Sequence, residues 1–300
     1  MNKSIFLLGA NGQLGKELEI VLSGYDLTSL KKSDLDVTNI ENVNSVFQNL
    51  NQGIVINASA FTNVDEAESN FEQANKVNAQ SLRTISKICQ NSKSILIHFS
   101  TDYVFDGGKT SPYTEEDKTN PINAYGRSKL LGEEEIKKNL EDFYIFRTSW
   151  VYGKFGKNFP KTIIDLMQTK EELNIVGDQT GIPTSTNLLA HITKYFIEQI
   201  NSQSEIEFGV YNAVPDGKTS WYIFAKYIYK VLKRKYPSSC KTNLINETSS
   251  KIFKRDAARP KNSILDNKKI KNKMQQFKMY NWETYLDRFL DSYLDNLLKK

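Results

Sequence analysis

The 300-residue chain has little of what several classes of protein depend on. It contains only two cysteines, Cys89 and Cys240, and two histidines, so it has neither a disulfide framework nor the spacing of a metal site. A reduced, cytoplasmic protein is the simplest expectation. No apolar run has the roughly 20 residues that a membrane-spanning helix needs. The apolar run after Lys3 is short and ends in glycines, so we expect a mature chain start and not a signal peptide.

The chain also lacks a large excess of either positive or negative charge. The chain has 40 Lys and Arg against 35 Asp and Glu, which leaves a net charge of +5. That surplus suits a phosphate-bearing ligand but is too small and too dispersed to indicate nucleic acid as a partner. The hydrophobic content of 39% and the aromatic content of 11% are typical of a folded chain with a substantial core.

Short apolar runs of strand length alternate with stretches of helical periodicity. The apolar runs cover residues 4–8, 53–58, 94–100 and 143–150, and the helical stretches cover 14–22, 72–89 and 128–140. Nearly continuous apolar strands indicate a parallel sheet that is covered on both faces. We therefore predict an α/β fold, a Rossmann-like doubly wound parallel sheet with a smaller C-terminal α+β substrate lobe.

The character of the sequence changes after Gly153, where aromatic residues cluster and the predicted loops lengthen. We predict an NAD(P)-binding domain over residues 1–153. We assign residues 154–300 mainly to a substrate-binding lobe, from which segments cross back to the first domain.

A glycine loop follows the first predicted strand and opens the first helix. In G-A-N-G-Q-L-G, Gly9 permits a tight turn, Gly12 the close approach of a pyrophosphate, and Gly15 close packing of helix against strand. The helix N-terminus then offers N–H groups and a positive dipole end to the anion. A plain glycine-rich turn is the alternative. The order of strand, loop and helix favours dinucleotide binding.

The end of the second strand predicts the preference between the two nicotinamide cofactors. Lys31 and Lys32 stand there, and the first carboxylate comes only at Asp34. Cations at this place hold the 2′-phosphate of NADP, whereas an acid accepts from the 2′-hydroxyl of NAD. We predict NADPH, with NADH as the alternative cofactor. Asp36 and Val37 follow where they could flank the adenine.

Three side chains form a candidate catalytic set. Thr101 comes at the end of a predicted strand, and Tyr125 and Lys129 stand four residues apart on one face of a predicted helix. A phenol has an unperturbed pKa of about 10, which a nearby ammonium and an oxidised nicotinamide would lower. Thr101 could orient a carbonyl oxygen while Tyr125 protonates it, which is general acid catalysis of carbonyl reduction. An ordinary surface tyrosine beside a solvated lysine is the alternative for Y-x-x-x-K alone.

The motifs together closely resemble the extended short-chain dehydrogenase/reductases and, within them, the dTDP-4-dehydrorhamnose reductases. The glycine loop, NASAFTNVDEAE, STDYVFDG, Y-x-x-x-K and RTSWVYG occur in that order, and DQTGIPT, WYIFA and ARPKNSILD resemble later motifs of the family. The resemblance covers nearly the whole chain. STDYVFDG joined to RTSWVYG is its most discriminating part.

The resemblance implies a role for each matching position. Tyr125 matches the proton donor, Lys129 the lysine that binds the cofactor ribose, and Thr101 the hydroxyl member of the set. The cofactor contacts implied by the resemblance are Asn11, Gly12 and Gln13 in the loop, Asp36 and Val37 near the adenine, and Ala60, Phe61 and Thr62 beside the nicotinamide half. To these the loop and the strand end themselves add Gly9, Leu14, Gly15 and Lys31 as predicted cofactor contacts. The implied substrate contacts are Thr101, Asp102, Trp150 and Arg259. Many members carry an acid where Lys31 stands, which supports NADPH.

The implied reaction is reduction of the C4 keto group of a dTDP-linked 4-keto-6-deoxyhexose to dTDP-L-rhamnose in the cytoplasm, by a monomer or homodimer. A reductase or epimerase of another nucleotide sugar is one alternative. A non-catalytic NADP-binding regulatory subunit, as in methionine adenosyltransferases, is another. Some family members use Mg²⁺ with acidic residues at a dimer interface, but the sequence assigns no metal ligand. We expect His98 to be a buried core histidine and Glu133–Glu135 a solvated helix face.

Overall fold

A computed structural model describes residues 3–203 and 206–298. The strands are β1 (Ile5–Leu8), β2 (Leu27–Leu30), β3 (Ile54–Asn57), β4 (Ile95–Thr101), β5 (Phe143–Thr148), β6 (Val151–Tyr152), β7 (Glu172–Val176), β8 (Thr180–Gly181), β9 (Thr184–Ser185), β10 (Gly209–Asn212), β11 (Thr219–Ser220) and β12 (Leu244–Thr248). The α-helices are α1 (Gln13–Val21), α2 (Ile40–Val46), α3 (Glu66–Ser69), α4 (Phe71–Asn75), α5 (Ser81–Asn91), α6 (Ala124–Asn139), α7 (Phe159–Thr169), α8 (Thr186–Asn201), α9 (Trp221–Lys235), α10 (Lys268–Lys273) and α11 (Trp282–Leu298).

Six strands form the central sheet in the order β10-β5-β4-β3-β1-β2, and every neighbouring pair is parallel. All residues of β3 and β4 are buried, as continuous apolar strands covered on both faces require. The chain runs from β1 outward to β2 on one side and then crosses back over β1 to β3 on the other side, so the strand order reverses at β1. This reversal opens a crevice at the carboxyl ends of β1 and β3. The predicted α/β doubly wound fold is confirmed.

Two hydrophobic cores enclose the sheet. On one face, helices α1 and α8 pack through Leu18, Leu189 and Phe196 against the strands. On the other, Val43, Ile85 and Ile136 of helices α2, α5 and α6 form the second core. Both faces of the sheet are therefore covered by helices, which leaves only its edges and strand ends for ligands.

A smaller core lies under the later part of the chain. Helices α7, α9 and α11 pack together through residues such as Ile164, Phe224 and Leu290, and β7 pairs with β12 beside them. Between these elements the chain returns to the main sheet through α8 and β10. The division at residue 153 stays a prediction, and residues 1–2, 204–205 and 299–300 of the two predicted ranges lie outside the described residues. No helix within the described ranges has the length and apolarity to cross a bilayer.

Helix α6 begins at Ala124, before the periodic stretch over residues 128–140, so Tyr125 and Lys129 lie on one helix as predicted. The Asn123 side chain caps it by accepting a hydrogen bond from the Gly126 N–H at 2.7 Å. Tyr125 therefore lies in the first turn. The predicted solvated face over residues 133–135 is wrong for Glu133, which is fully buried, because it pairs with Arg147 of β5.

Candidate active site

A cavity of about 960 Å³ runs along the carboxyl ends of β1, β3, β4 and β5. The predicted site residues that line it are Gly9, Asn11, Gly12, Gln13, Leu14, Asp36, Val37, Ala60, Phe61, Thr62, Thr101, Asp102, Tyr125, Lys129 and Trp150. Three predicted residues are absent from this lining: Gly15, Lys31 and Arg259. One continuous cavity thus brings together the glycine loop, the candidate catalytic set and the tryptophan.

The glycine loop forms the floor of one end of the cavity. Gly9 has a φ of +76°, and a Cβ there would meet the Ser59 backbone nitrogen at 2.7 Å, so only glycine fits this turn. Gly15 lies below the floor, where a Cβ would come within 2.1 Å of the Gly9 carbonyl oxygen. The spacing predicted close packing of the helix against the strand, and the contact lies at the two loop residues directly after β1, Gly9 and Ala10. Among the described residues, no side chain caps helix α1, whose N-cap is Gly12, so its first N–H groups remain available to an anion.

At the predicted adenosine end, only the second of the two lysines after β2 lines the cavity. Lys32 lines the cavity, whereas the Lys31 backbone N–H donates to the Asp34 carboxylate at 2.9 Å. Asp36 also lines it, and its Oδ1 accepts from the backbone N–H and hydroxyl of Thr38 at 2.9 and 2.7 Å. These hydrogen bonds hold the pKa of Asp36 below its usual value, so its carboxylate is ionised at neutral pH.

The backbone after β3 is held in place by a buried asparagine. Asn78 lies in a single π-helical turn, Lys76–Gln80, which joins α4 to α5. Its side chain accepts from the Phe61 N–H at 2.9 Å and donates to the Phe61 carbonyl oxygen at 3.1 Å. It also donates to the Ser128 hydroxyl at 2.9 Å. Asn78 therefore ties the cavity wall at Ala60–Thr62 to helix α6.

Thr101 and Asp102 end β4 and are both buried. The Thr101 hydroxyl donates to Asp102 Oδ1 at 3.0 Å and accepts from the Tyr103 N–H at 3.2 Å. Asp102 Oδ2 is buried beside the cavity and makes no hydrogen bond of good geometry among the described residues, although the Ser263 hydroxyl is near enough to act on its pKa. Burial raises the pKa of Asp102 to about 7. An unpartnered acceptor at a cavity wall is suited to a ligand hydroxyl.

Tyr125 is partly exposed at the cavity wall. Its ring packs edge to face against the Tyr103 ring, with the two ring centroids 5.9 Å apart. Burial and the negative charge of Asp102 raise the pKa of its phenol to about 12, while a hydrogen bond with Thr101 acts in the opposite direction. The sequence predicted a lowered pKa from Lys129 and an oxidised nicotinamide together. The protein's own groups instead keep the phenol protonated at neutral pH.

Lys129 is 1% exposed. Its Nζ lies 2.7 Å from the Phe99 carbonyl oxygen and 3.0 Å from His98 Nε2, and it lines the cavity on the side of Tyr125. Burial lowers the pKa of this amine to about 7, although the charge of Glu133 one turn later acts to raise it. His98 is buried, as predicted, and its Nδ1 lies 3.3 Å from Asn57 Nδ2.

Trp150 closes the other end of the cavity. Its ring stacks on Trp221 with centroids 3.5 Å apart, and both rings line the cavity. Trp150 has a φ of +46°, in the left-handed region that a bulky residue adopts only under strain. The stack with Trp221 and the close approach of Gly181, where a Cβ would meet Trp150 at 2.5 Å, fix this conformation.

Arg259 lies beside the site and not in its lining. Its guanidinium donates to both carboxylate oxygens of Asp65, at 3.0 and 2.7 Å, and to the Ala257 carbonyl oxygen at 3.0 Å. The ion pair joins the loop after β3 to the loop before β-bridged residue Asn262. In this structure Arg259 organises the loops near Tyr103 and does not face the cavity.

Sequence reasoning did not assign several side chains that line the cavity or support it. Ser59, Ser149, Lys157 and Trp221 line it, and Asn78 supports it. Trp221 had a signal, since WYIFA is one of the motifs in the resemblance. Asn78 and Lys157 had none that a single sequence reveals. Within the described residues, no group of three or more His, Cys, Asp or Glu side chains is arranged to hold a metal ion.

A phenol, a hydroxyl and a lysine at the carboxyl edge of a dinucleotide-type sheet define the class of Rossmann-fold carbonyl reductases. Comparison with known proteins agrees with this class. The chain matches the family described as the RmlD substrate binding domain over residues 2–295. It is 35% identical over 296 residues to a dTDP-4-dehydrorhamnose reductase of Escherichia coli K12, an alignment that covers 96% of this chain and 97% of that protein.

Two further relatives extend the comparison. A spore coat polysaccharide biosynthesis protein of Bacillus subtilis is 35% identical, with 89% of this chain and 90% of that protein covered. The crystal structure of a dTDP-4-dehydrorhamnose reductase from Bacillus anthracis, in complex with NADP, superposes with a TM-score of 0.88 at 36% identity. It covers 97% of this chain and 100% of that one. The chain therefore belongs to the family of dTDP-4-dehydrorhamnose reductases. The family and the class of enzyme, an oxidoreductase, are as the sequence predicted.

Proposed function

We propose that the chain reduces the C4 keto group of dTDP-4-dehydro-6-deoxy-L-mannose (dTDP-4-dehydrorhamnose) with hydride from NADPH, giving dTDP-L-rhamnose, in the cytoplasm. The observation that carries the proposal is that Tyr125, Thr101 and Lys129 line one cavity with the glycine loop. Family membership supports the choice of substrate, because relatives that match nearly the whole chain carry this activity in their names.

The residues present fit a dinucleotide. The uncapped N-terminus of α1 offers N–H groups to a pyrophosphate, and Gly12 leaves the cavity floor free of a side chain there. Lys32 lines the cavity after β2 and Lys31 does not, which supports Lys32 as the partner of a 2′-phosphate. We propose that Lys32 carries the NADPH preference and that Lys129 meets the ribose on the nicotinamide side. The bound cofactor supplies the hydride.

Tyr125 is the proposed general acid. A phenol with a pKa of about 12 carries its proton at neutral pH, as the donor in a reduction must. Its partner Thr101 touches the same phenol, and its hydroxyl can turn from Asp102 toward a ligand oxygen. Asp102 Oδ2 and the Trp150 ring form the neighbouring wall, where we place the deoxysugar.

Tyr125→Phe tests this proposal. We expect turnover to fall by about 10²–10⁴-fold while NADPH binding changes little, because only the transferred proton is lost. NADPH oxidation with dTDP-4-dehydrorhamnose, together with NADPH binding by fluorescence, measures both quantities. Tyr103→Phe is the matched control, since it removes a hydroxyl from the neighbouring ring and should retain most of the activity. Equal turnover in Tyr125→Phe and wild type would contradict the assignment.

The same assay separates the alternatives. Turnover with another nucleotide-linked keto sugar, but not with the dTDP-linked one, would place the chain with reductases or epimerases of other nucleotide sugars. Tight NADPH binding with no turnover of any keto sugar would favour the non-catalytic regulatory subunit. Sedimentation of the purified chain distinguishes a monomer from a homodimer, and EDTA treatment followed by Mg²⁺ addition tests for a metal requirement.

A further inference from the structure

A chain of buried hydrogen bonds reaches Lys129 from behind the cavity. It runs from Ser59 through Asn57 and His98 to the amine, and Asn57, His98 and Lys129 are each 1% exposed. The reduction proposed above does not use His98 or Asn57. Because buried polar groups must match donor to acceptor, the direction of each bond can be followed along the chain.

The first link fixes the asparagine. The Ser59 backbone N–H can only donate, and it lies 3.1 Å from Asn57 Oδ1, which also accepts from the Ser59 hydroxyl at 2.5 Å. Asn57 Oδ1 must therefore face Ser59, and Asn57 Nδ2 must face His98. An inverted amide would place its NH₂ group against the backbone N–H.

The second link fixes the histidine tautomer. Asn57 Nδ2 is a donor, and it lies 3.3 Å from His98 Nδ1, so Nδ1 is the accepting nitrogen. A neutral imidazole with an unprotonated Nδ1 carries its proton on Nε2. That N–H points at Lys129 Nζ, 3.0 Å away.

The third link concerns the lysine. An ammonium has three donors and no acceptor, so it would oppose N–H to N–H across the contact with His98. A neutral amine has one lone pair for His98 and two N–H groups. One of these donates to the Phe99 carbonyl oxygen at 2.7 Å. We propose that Ser59, Asn57 and His98 hold Lys129 as a neutral amine in the cofactor-free enzyme, with Asn57 and His98 as positioning residues for the reduction.

The surroundings of Lys129 are consistent with this state. From helix α6, Glu133 is the carboxylate that favours an ammonium, but Arg147 of β5 neutralises it with two hydrogen bonds. From β4, His98 and the Phe99 carbonyl face the amine, and Tyr125 on its own helix is protonated. Burial lowers the pKa of Lys129 to about 7 and that of His98 well below its ordinary value, so both are readily neutral.

The histidine tautomer is a direct test that needs no turnover. The chain has two histidines, so His191→Gln leaves His98 as the single signal in ¹⁵N-histidine-labelled protein. Two-bond ¹⁵N–¹H correlation spectra without cofactor, from pH 8 to 9.5, where an amine with a pKa of about 7 is neutral, should show Nε2 protonated and Nδ1 bare. A protonated Nδ1, or an imidazolium, would overturn the proposal.

Asn57→Asp tests the positioning role. A carboxylate accepts from both Ser59 and His98, so the proton should move to His98 Nδ1 and leave Nε2 to accept from a charged Lys129. We expect the His98 tautomer to reverse. We also expect the pKa of Lys129, read from the pH profile of kcat/KM, to rise by about one pH unit or more. Asn91→Asp, which adds the same charge at an exposed position, should change neither.

A second pair of variants covers the case in which Asn57→Asp does not fold. His98→Gln retains an amide N–H near the position of Nε2 and should keep the wild-type pH profile, whereas His98→Leu should shift it. Identical profiles in both would overturn the positioning role. The role rests on the proposed reduction, but the tautomer does not. Wild-type protein with Nε2 protonated and no reductase activity would therefore refute the function and leave the neutral lysine in place.

Discussion

Two buried basic side chains meet at helix α6, Lys129 on the helix itself and Arg147 on β5 packed against it, and their partners differ. Arg147 is 2% exposed and donates two hydrogen bonds to the buried carboxylate of Glu133, at 2.9 and 2.7 Å. Lys129 is 1% exposed, and among the described residues its hydrogen-bond partners are a histidine nitrogen and a carbonyl oxygen. The guanidinium is always charged, and a bidentate carboxylate compensates that buried charge. A lysine amine with neutral partners can instead gain or lose a proton.

The difference in partners indicates that Arg147 and Glu133 have a structural role, whereas Lys129 has the role proposed in the reaction. Burial alone would raise the pKa of Glu133, but the charge of Arg147 and its hydrogen bonds hold that pKa below the usual value. The Ser100 hydroxyl adds a hydrogen bond to Glu133 at 2.6 Å. This cluster holds the ends of β4 and β5 against α6, directly behind Thr101 and Lys129. The Glu133–Arg147 ion pair therefore supports the part of the cavity wall that carries the titratable Lys129.

Breaking the ion pair should have the largest effect on stability. Glu133→Gln leaves the Arg147 charge buried without a carboxylate, which we expect to lower the free energy of unfolding by about 3–5 kcal/mol. Urea unfolding followed by circular dichroism measures this. The double variant Glu133→Leu/Arg147→Met should recover most of the loss, because it removes both charges. If the single variant were as stable as wild type, the pair would not be the support that the geometry indicates.

Lys129→Met should instead change how stability depends on pH. The folded-state pKa of Lys129 is about 7 against 10.5 in the unfolded chain, so between these values the unfolded state binds the extra proton. Its burial penalty is full below pH 7 and disappears as the pH rises toward 10.5. Relative to Lys129→Met, wild type should therefore gain up to about 1.4 kcal/mol per pH unit within that window.

Urea midpoints at pH 7.5, 8.5 and 9.5 for the two proteins measure this slope. A stability difference that does not vary with pH would mean that Lys129 keeps its proton in the folded state. Turnover of Lys129→Met should fall by about 10²-fold or more, since the variant loses the contact proposed for the ribose. Glu133→Gln, assayed at a temperature where it remains folded, should lose less.

The sequence predicted more of the site than of its support. Motifs at successive strand ends are sufficient to place Thr101 and the glycine loop at one edge, because carboxyl ends of parallel strands share that edge. Four-residue spacing likewise places Tyr125 and Lys129 on one face. Glu133 continues the same spacing, so its burial had a local signal. The glutamate run was nevertheless taken for a solvated face, because its partner Arg147 is distant in sequence.

The remaining features depend on tertiary contacts. Asn78 lies in a π-helical turn and contacts Phe61, 17 positions earlier in the chain, and Trp150 stacks on Trp221, 71 positions later. At the predicted adenosine end, the sequence placed Lys31 and Lys32 after the second strand. Which of the two lines the cavity depends on the residue at which β2 ends. Arg259 matched a motif, yet its position follows from the ion pair with Asp65.

Lys137→Met should have the smallest effect on stability, and it tests whether an exposed cation supports Glu133 as the buried Arg147 does. Lys137 Nζ lies 3.4 Å from Glu133 Oε2, but its side chain is 41% exposed. Exposed pairs four residues apart on a helix contribute only about 0.3–0.5 kcal/mol, because water screens them. We expect a stability loss of that size, nearly the same at pH 7.5 and 9.5, and unchanged turnover. A loss comparable to that of Glu133→Gln would show that Glu133 depends on both cations, so that Arg147 alone does not account for its buried charge.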